Sequence, residues 1–254
     1  MAERSRAEPP TICRTCEEPL YGPYCSACGE SHRYPRLELR MLLEDLFDGL
    51  INLDTRVLRT VGELSVDPAR VGRDFLVGRR KPYINPLKYA LATFGLAVLI
   101  NQALIRLHGI PDDPSVARIV EFSLGWGQVI SFAVIPVFAL CVYGLLYGPV
   151  RVRNMLGAPR QLEWFEHYVL GLFAFGHVAL LQGLLAPLMP YLGACAYPTL
   201  FVVLPIVYAS WMFVGVCRTS WSSTLPRIAV AFIAGVQVPS SLLARVIAPE
   251  LFGE

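Results

Sequence analysis

The chain has 254 residues, of which 54% are apolar and only 17% charged, with a formal net charge of +2. Soluble domains usually carry about a quarter charged residues. This composition argues against an ordinary soluble globule and favours a short polar head joined to a membrane bundle. So small a charge excess also argues against nucleic acid as a partner.

Residues 1–12 read as a polar, proline-containing leader. It lacks the apolar core of a signal peptide, so the N-terminus is expected to stay in the cytosol. Two CxxC pairs follow at 13–30, Cys13 with Cys16 and Cys25 with Cys28, eight residues apart. In a reducing compartment such pairs favour metal over disulfides. Each CxxC turn delivers two thiolates, and four thiolates close a tetrahedral zinc site. Iron in a rubredoxin-like setting uses the same ligands, and spacing does not separate the two. An 18-residue ribbon cannot bury a core, so the metal would supply most of its folding free energy. A closed four-thiolate site leaves no open position for catalysis, so the expected role is structural or partner-docking. Cys141, Cys195 and Cys217 lie in or beside apolar runs and read as small apolar residues.

Residues 36–67 repeat leucine and valine at three- and four-residue steps, an amphipathic helical pattern that Pro68 ends. Residues 37–67 hold seven acidic residues and three arginines. That balance disfavours free adsorption to an anionic bilayer and favours packing on the membrane domain or on a protein partner. The basic segment 68–86, with Arg79, Arg80 and Lys81, reaches the membrane edge, where it can also meet anionic lipid headgroups.

The membrane bundle is expected over 87–250, with about five spans: 87–107, 122–146, 164–185, 192–216 and 225–247. Each is near the 20 residues a crossing requires. Pro198 and Pro205 interrupt the fourth. Gln237, Pro239 and Arg245 interrupt the fifth, which can instead be re-entrant. Arg79, Arg80, Lys81 and Lys88 precede the first span, Arg151, Arg153 and Arg160 follow the second, and Arg218 and Arg227 follow the fourth. Basic loops stay inside, which puts the head in the cytosol and, with five spans, the C-terminus outside.

Glu163, Glu166 and His167 open the third span, with His177 about 15 Å further along the helix. Ionisable residues inside a span mark candidate sites, so Glu166, His167 and His177 are the candidate catalytic or proton-handling residues. The competing reading makes the carboxylates a helix N-terminal cap and His177 a bundle hydrogen-bond donor. No HExxH pair is present, so a metal here would need ligands from other helices. Arg245 reads as a side chain that snorkels to the outer face.

Several stretches together resemble a family of bacterial membrane proteins defined by a domain of unknown function, DUF3667. Tyr24-Cys25-Ser26-Ala27-Cys28-Gly29-Glu30 is similar to that family's YCxxCGQ, with glutamate in place of glutamine. Arg59-Thr60 resembles its threonine before a leucine-rich turn. Gly78-Arg79-Arg80-Lys81-Pro82-Tyr83-Ile84-Asn85-Pro86 resembles its GKRxxYxxP, and Glu166-His167 its EH pair. His177 lies near where members carry further histidines, although Leu-Phe-Ala-Phe-Gly precedes it here in place of a tight cluster. Val207-Tyr208 through Trp221 resembles the end of the next span. The resemblance covers about residues 10–230. It implies a multi-pass bacterial inner-membrane protein with a four-cysteine ribbon, and brings no activity with it.

The sequence thus predicts an all-α polytopic membrane protein with an N-terminal four-cysteine zinc ribbon. The expected function is structural, docking or regulatory. The alternatives are a small transporter or channel, and an inner-leaflet enzyme using Glu166 and His167.

Overall fold

The computed structural model describes residues 12–13, 15–30, 55–108, 126–127, 129–146, 152–153, 159–188 and 199–247. Residues 1–11, the first part of the amphipathic stretch (36–54, with His32 just before it), the loop 109–121, the start of the fourth span with Cys195, and 248–254 lie outside the described residues.

The ribbon is two knuckles built alike. The carbonyl of Cys13 accepts from Glu17 N–H at 3.0 Å, and Cys13 N–H donates to Glu18 at 2.7 Å. Twelve residues on, Cys25 accepts from Gly29 N–H and donates to Glu30, both at 2.9 Å. The residue after each second cysteine turns left-handed, Glu17 at φ 64° and Gly29 at φ 71°. Glycine takes that conformation freely, whereas a residue with a Cβ is strained in it.

Two short helices follow, α1 (Thr55–Val66) and α2 (Pro68–Val77). Asp67 separates them and caps α2, accepting from Arg70 N–H at 3.0 Å. Pro68 then sits where a missing N–H costs nothing. Gly78, at φ 98°, ends α2 and donates to the Asp74 and Phe75 carbonyls, the left-handed C-terminal stop. The stretch 68–86 is therefore mostly helix, and its basic side chains project from α2 and the turn after it.

The bundle comprises α3 (Pro86–His108), α4 (Ile135–Leu146), α5 (Trp164–Leu185), α6 (Leu204–Cys217), α7 (Trp221–Phe232) and α8 (Val238–Ile247). Residues 129–133 are also helical and run into α4, because Val134 N–H donates to Ile130 and Phe138 N–H to Val134, each at 3.0 Å. A two-stranded turn, β1 (Val152–Arg153) with β2 (Pro159–Arg160), precedes α5. Four described helical stretches are long and apolar enough to cross a membrane: Pro86–Leu107, Trp164–Leu188, Thr199–Cys217 and Trp221–Val246. The run expected at 122–146 contributes the 12-residue apolar helix α4. Trp221–Val246 joins α7 and α8 through a wide turn at Ile233–Gln237, where Val238 N–H reaches the Ile233 carbonyl.

At the centre lies α5, whose Val169, Leu170, Leu172, Phe173 and Val178 are fully enclosed. Glycines set its neighbours' distance and direction. A Cβ on Gly176 would lie 3.1 Å from Ala90 Cα, and one on Gly183 would lie 3.2 Å from Ala97 Cα. Both pairs share one numerical offset, so α3 and α5 run parallel and Pro86 is level with Leu172. Helix α5 therefore begins eight residues, about 12 Å, before α3 does. The notch above α3 is filled by α2, whose Gly72 packs on Leu170 and Val216 so closely that a Cβ would stand 2.8 and 2.7 Å from them. Arg73 secures the contact by donating to the Gly215 carbonyl at 2.8 Å, an acceptor near the C-terminus of α6 that the helix itself leaves open.

Candidate functional site

Cys13, Cys16, Cys25 and Cys28 place all four sulfurs within 4.8 Å of one another. Cys13 Sγ lies 3.5 Å from Cys28 Sγ, and Cys16 Sγ lies 3.4 Å from Cys25 Sγ. A tetrahedron with 2.3 Å zinc–sulfur bonds has edges of about 3.8 Å, so the thiols fit one ion. The backbone is aimed at the sulfurs: Thr15 N–H donates to Cys13 Sγ at 3.5 Å. The N–H groups of Cys28 and Ala27, against the effect of burial, pull the Cys25 thiol down to about 6. Burial pushes Cys28 up to about 12. Bound here, a divalent ion supplies a closed cross-link. Among the described residues this is the one cluster of histidine, cysteine or carboxylate groups that can hold a metal.

Glu30 joins this head to the bundle. It is buried, and one carboxylate oxygen accepts from Thr15 Oγ1 and from Lys81 N–H, both at 2.8 Å. The loop after α2 is clamped twice more. Thr60 Oγ1 accepts from Ile84 N–H at 3.1 Å while donating to the Arg56 carbonyl at 2.7 Å. Tyr83 Oη lies 2.7 Å from Glu63 Oε2 and 3.0 Å from Asp74 Oδ2. Burial works against the Glu63 charge, but the Tyr83 hydroxyl and Arg59 hold its carboxyl below the ordinary range. Burial and the two carboxylates push Tyr83 upward.

Inside the bundle, His177 is 1% exposed and both ring nitrogens are engaged. Ser65 Oγ lies 2.8 Å from the Val61 carbonyl, and its single proton goes there. The His177 Nε2–H therefore donates to Ser65 Oγ at 3.2 Å, and Nδ1 accepts from Tyr89 Oη at 2.7 Å. Tyr208 stacks on His177 at 5.2 Å between ring centroids and donates to the Leu64 carbonyl at 2.8 Å. That carbonyl is in the last turn of α1 and lacks a helical partner. Helices α1, α3, α5 and α6 thus meet at one histidine.

Glu166 and His167 are eleven and ten residues away, at the start of α5. A Glu166 carboxylate oxygen accepts from Glu163 N–H at 2.9 Å, and His167 Nδ1 lies 2.9 Å from the Glu163 carbonyl. Glu163 and Glu166 form a reciprocal capping box, which satisfies N–H groups the first turn leaves open. The structure does not bring this pair to His177. His167 packs against Tyr143 and Phe213 instead.

Sequence reasoning assigns no role to Glu30, Tyr83, Tyr89 or Tyr208. Glu30 had one visible signal, a carboxylate where the resembled motif has glutamine. Gln182 is a further buried polar residue that the sequence leaves without a partner. Its Nε2 donates to the Leu200 carbonyl at 3.0 Å. Leu200 lies in the wide turn Thr199–Val203, where bonds run five residues forward. The fifth residue on is Pro205, which has no N–H, and Gln182 supplies the missing donor.

Residues 54–98 match the model of a family described as Protein of unknown function (DUF3667), less than a fifth of the chain. Neither the comparison with curated proteins nor that with solved structures gives a match. The matched segment is a physical unit. It holds α1, α2, the clamped loop and the first half of α3, with Ser65 and Tyr89 of the His177 group.

Proposed function

We propose that this is a DUF3667-type membrane protein with a docking or regulatory role. Its head, held by one zinc ion, reports to the bundle. The observation that carries this reading is the Glu30 carboxylate shared between Thr15 of the ribbon and Lys81 of the loop entering α3. A head serving only as a tether needs no buried carboxylate at that junction. From Lys81 the clamped loop leads through Tyr83 to α1 and α2, and so to Ser65 and His177. Loss of the metal frees Glu30 and loosens residues 79–85. The basic residues around 79–88 support a cytosolic head in a bacterial inner membrane, where a soluble protein partner would meet the ribbon.

The test is elemental analysis of the full protein and of Cys25→Ser, with hydrogen exchange across 79–90. One zinc per chain, lost in the variant together with protection at 79–85, supports the reading. Iron in its place revises the metal alone. Unchanged protection after metal loss overturns the coupling.

Burial of His177 in the bundle favours a second reading, a small transporter. Uptake into reconstituted vesicles that His177→Phe abolishes would move it ahead. The enzyme reading with Glu166 and His167 requires those groups to act while closing a helix cap. Turnover of a lipid-linked substrate lost in Glu166→Gln is its test.

A further inference from the structure

The outer face of α1 mixes basic and apolar side chains, with Arg56, Leu58, Arg59, Ser65 and Val66 all exposed. Thr60 and Leu64 turn into the bundle and are fully buried, while Leu58 and Val66 are 78% and 77% exposed. Leu58, Gly62 and Val66 are four apart and form one stripe. An apolar stripe facing outward is costly in water and favourable against lipid. The depth of α1 agrees. Ser65 meets His177, which by the α3–α5 offset is level with Leu91, more than a turn past the start of the first apolar helix. Val66 is therefore level with the second turn of that apolar helix.

The charges around the stripe complete the pattern. Residues 55–90 carry eight basic side chains against Glu63, Asp67 and Asp74. Two of them gather at one point. Arg59 Nε is 2.8 Å from Glu63 Oε1 and Arg70 Nε is 4.0 Å from Glu63 Oε2, with Arg59 54% and Arg70 60% exposed. The single charge of Glu63 is shared with two guanidinium groups and the Tyr83 hydroxyl, so the trio keeps a net positive charge. Asp67 is taken by Arg73 and Asp74 is held beside Arg79.

We propose that α1 and α2 form a binding surface for anionic phospholipid. Val66 enters the acyl-chain edge of the leaflet, Leu58 lies toward its headgroup side beside the level of Ile84, and Arg59 and Arg70 take the headgroup phosphate. Guanidinium groups suit this because their planar fork bonds two phosphate oxygens at once. The matched segment is then a lipid-reading collar around the start of α3. This inference uses none of the metal ligands and stands apart from the docking reading.

The experiment uses the full chain in dodecyl maltoside, with bound lipid counted by native mass spectrometry. Phosphatidylglycerol is compared with phosphatidylcholine of the same acyl chains. A basic residue at an anionic surface contributes about 1 kcal/mol, or about fivefold. The two arginines therefore give phosphatidylglycerol a preference of about 25-fold at low salt, which fades near 0.5 M salt. R59Q/R70Q should lose the preference while still binding phosphatidylcholine as the wild type does. R59K/R70K should keep most of it, which separates charge from misfolding. A photocrosslinking residue at position 58, in vesicles of both lipids, should label lipid. Equal binding of the two lipids, a preference that survives R59Q/R70Q, or displacement by inorganic phosphate alone overturns the proposal. So does labelling from position 58 that goes to protein, including to residues 31–54.

Discussion

The head and the bundle bury their chemistry by opposite means. In the ribbon the buried side chains are Cys13, Cys25 and Glu30, and Tyr21 stands 92% exposed. Among the described residues of the ribbon no apolar core forms, so order has to come from what the thiols bind. Around His177 the enclosure is made by Tyr89 and Tyr208, with Phe173 packed against Tyr89, and each polar atom there meets another from a different helix. A buried polar group is tolerated when its partners are supplied. One region should therefore fail when an ion is withdrawn, and the other when a hydroxyl or a methyl group is changed.

Metal removal is the strongest way to break that comparison. A chelator should open residues 13–30 to protease and leave the helical signal in circular dichroism in place. Simultaneous loss of helix would mean that the bundle leans on the head far more than Glu30 alone explains.

Next comes packing. Gly215→Val drives a side chain into Ala69 Cβ, which already overlaps the place of a first carbon. Overpacking of this kind costs about 1–3 kcal/mol. A lowered melting temperature with unchanged zinc content is the expected result.

Tyr89→Phe removes the donor to His177 Nδ1 at constant ring volume. Leaving that nitrogen unpaired costs about 1–3 kcal/mol. The loss should also be coupled to Ser65→Ala in a double-mutant cycle, because one ring joins the two hydroxyls.

The loop clamp sharpens the comparison through pH. Glu63 is held low, so its contribution is full at neutral pH and lost as pH falls through its depressed folded value. Tyr83 is pushed up, so its contribution is full below the usual tyrosine pKa of about 10 and is lost as pH rises toward the folded value. Protection from hydrogen exchange at 79–85, taken relative to the intrinsic rate at each pH, should thus be greatest between these limits, and Tyr83→Phe should flatten the profile.

The smallest expected effect is a gain. Glu17→Gly relieves a left-handed residue at about 1 kcal/mol, which should slow zinc release to a chelator. Gly29→Ala should act the other way.

Much of this protein was written in its residue order. Paired CxxC spacing declares a four-thiolate site because the chelating turn is local, and apolar runs declare membrane helices because a bilayer demands a length. Pro68, Gly78 and the Glu163–Glu166 pair mark helix ends by backbone chemistry that needs no distant partner. Other features had no local signal. His177 and Ser65 are 112 residues apart in the chain, and Glu30 and Lys81 are 51 apart. Nothing in the periodicity of either segment predicts its partner. The parallel offset of α3 against α5 rests on Gly176 and Gly183 meeting Ala90 and Ala97, so helix lengths alone do not reveal the notch that α1 and α2 fill. Local chemistry made the metal knuckle and the spans, whereas three-dimensional packing selected the partners of Glu30 and His177, because a buried polar atom must bond to whichever group the fold brings within reach.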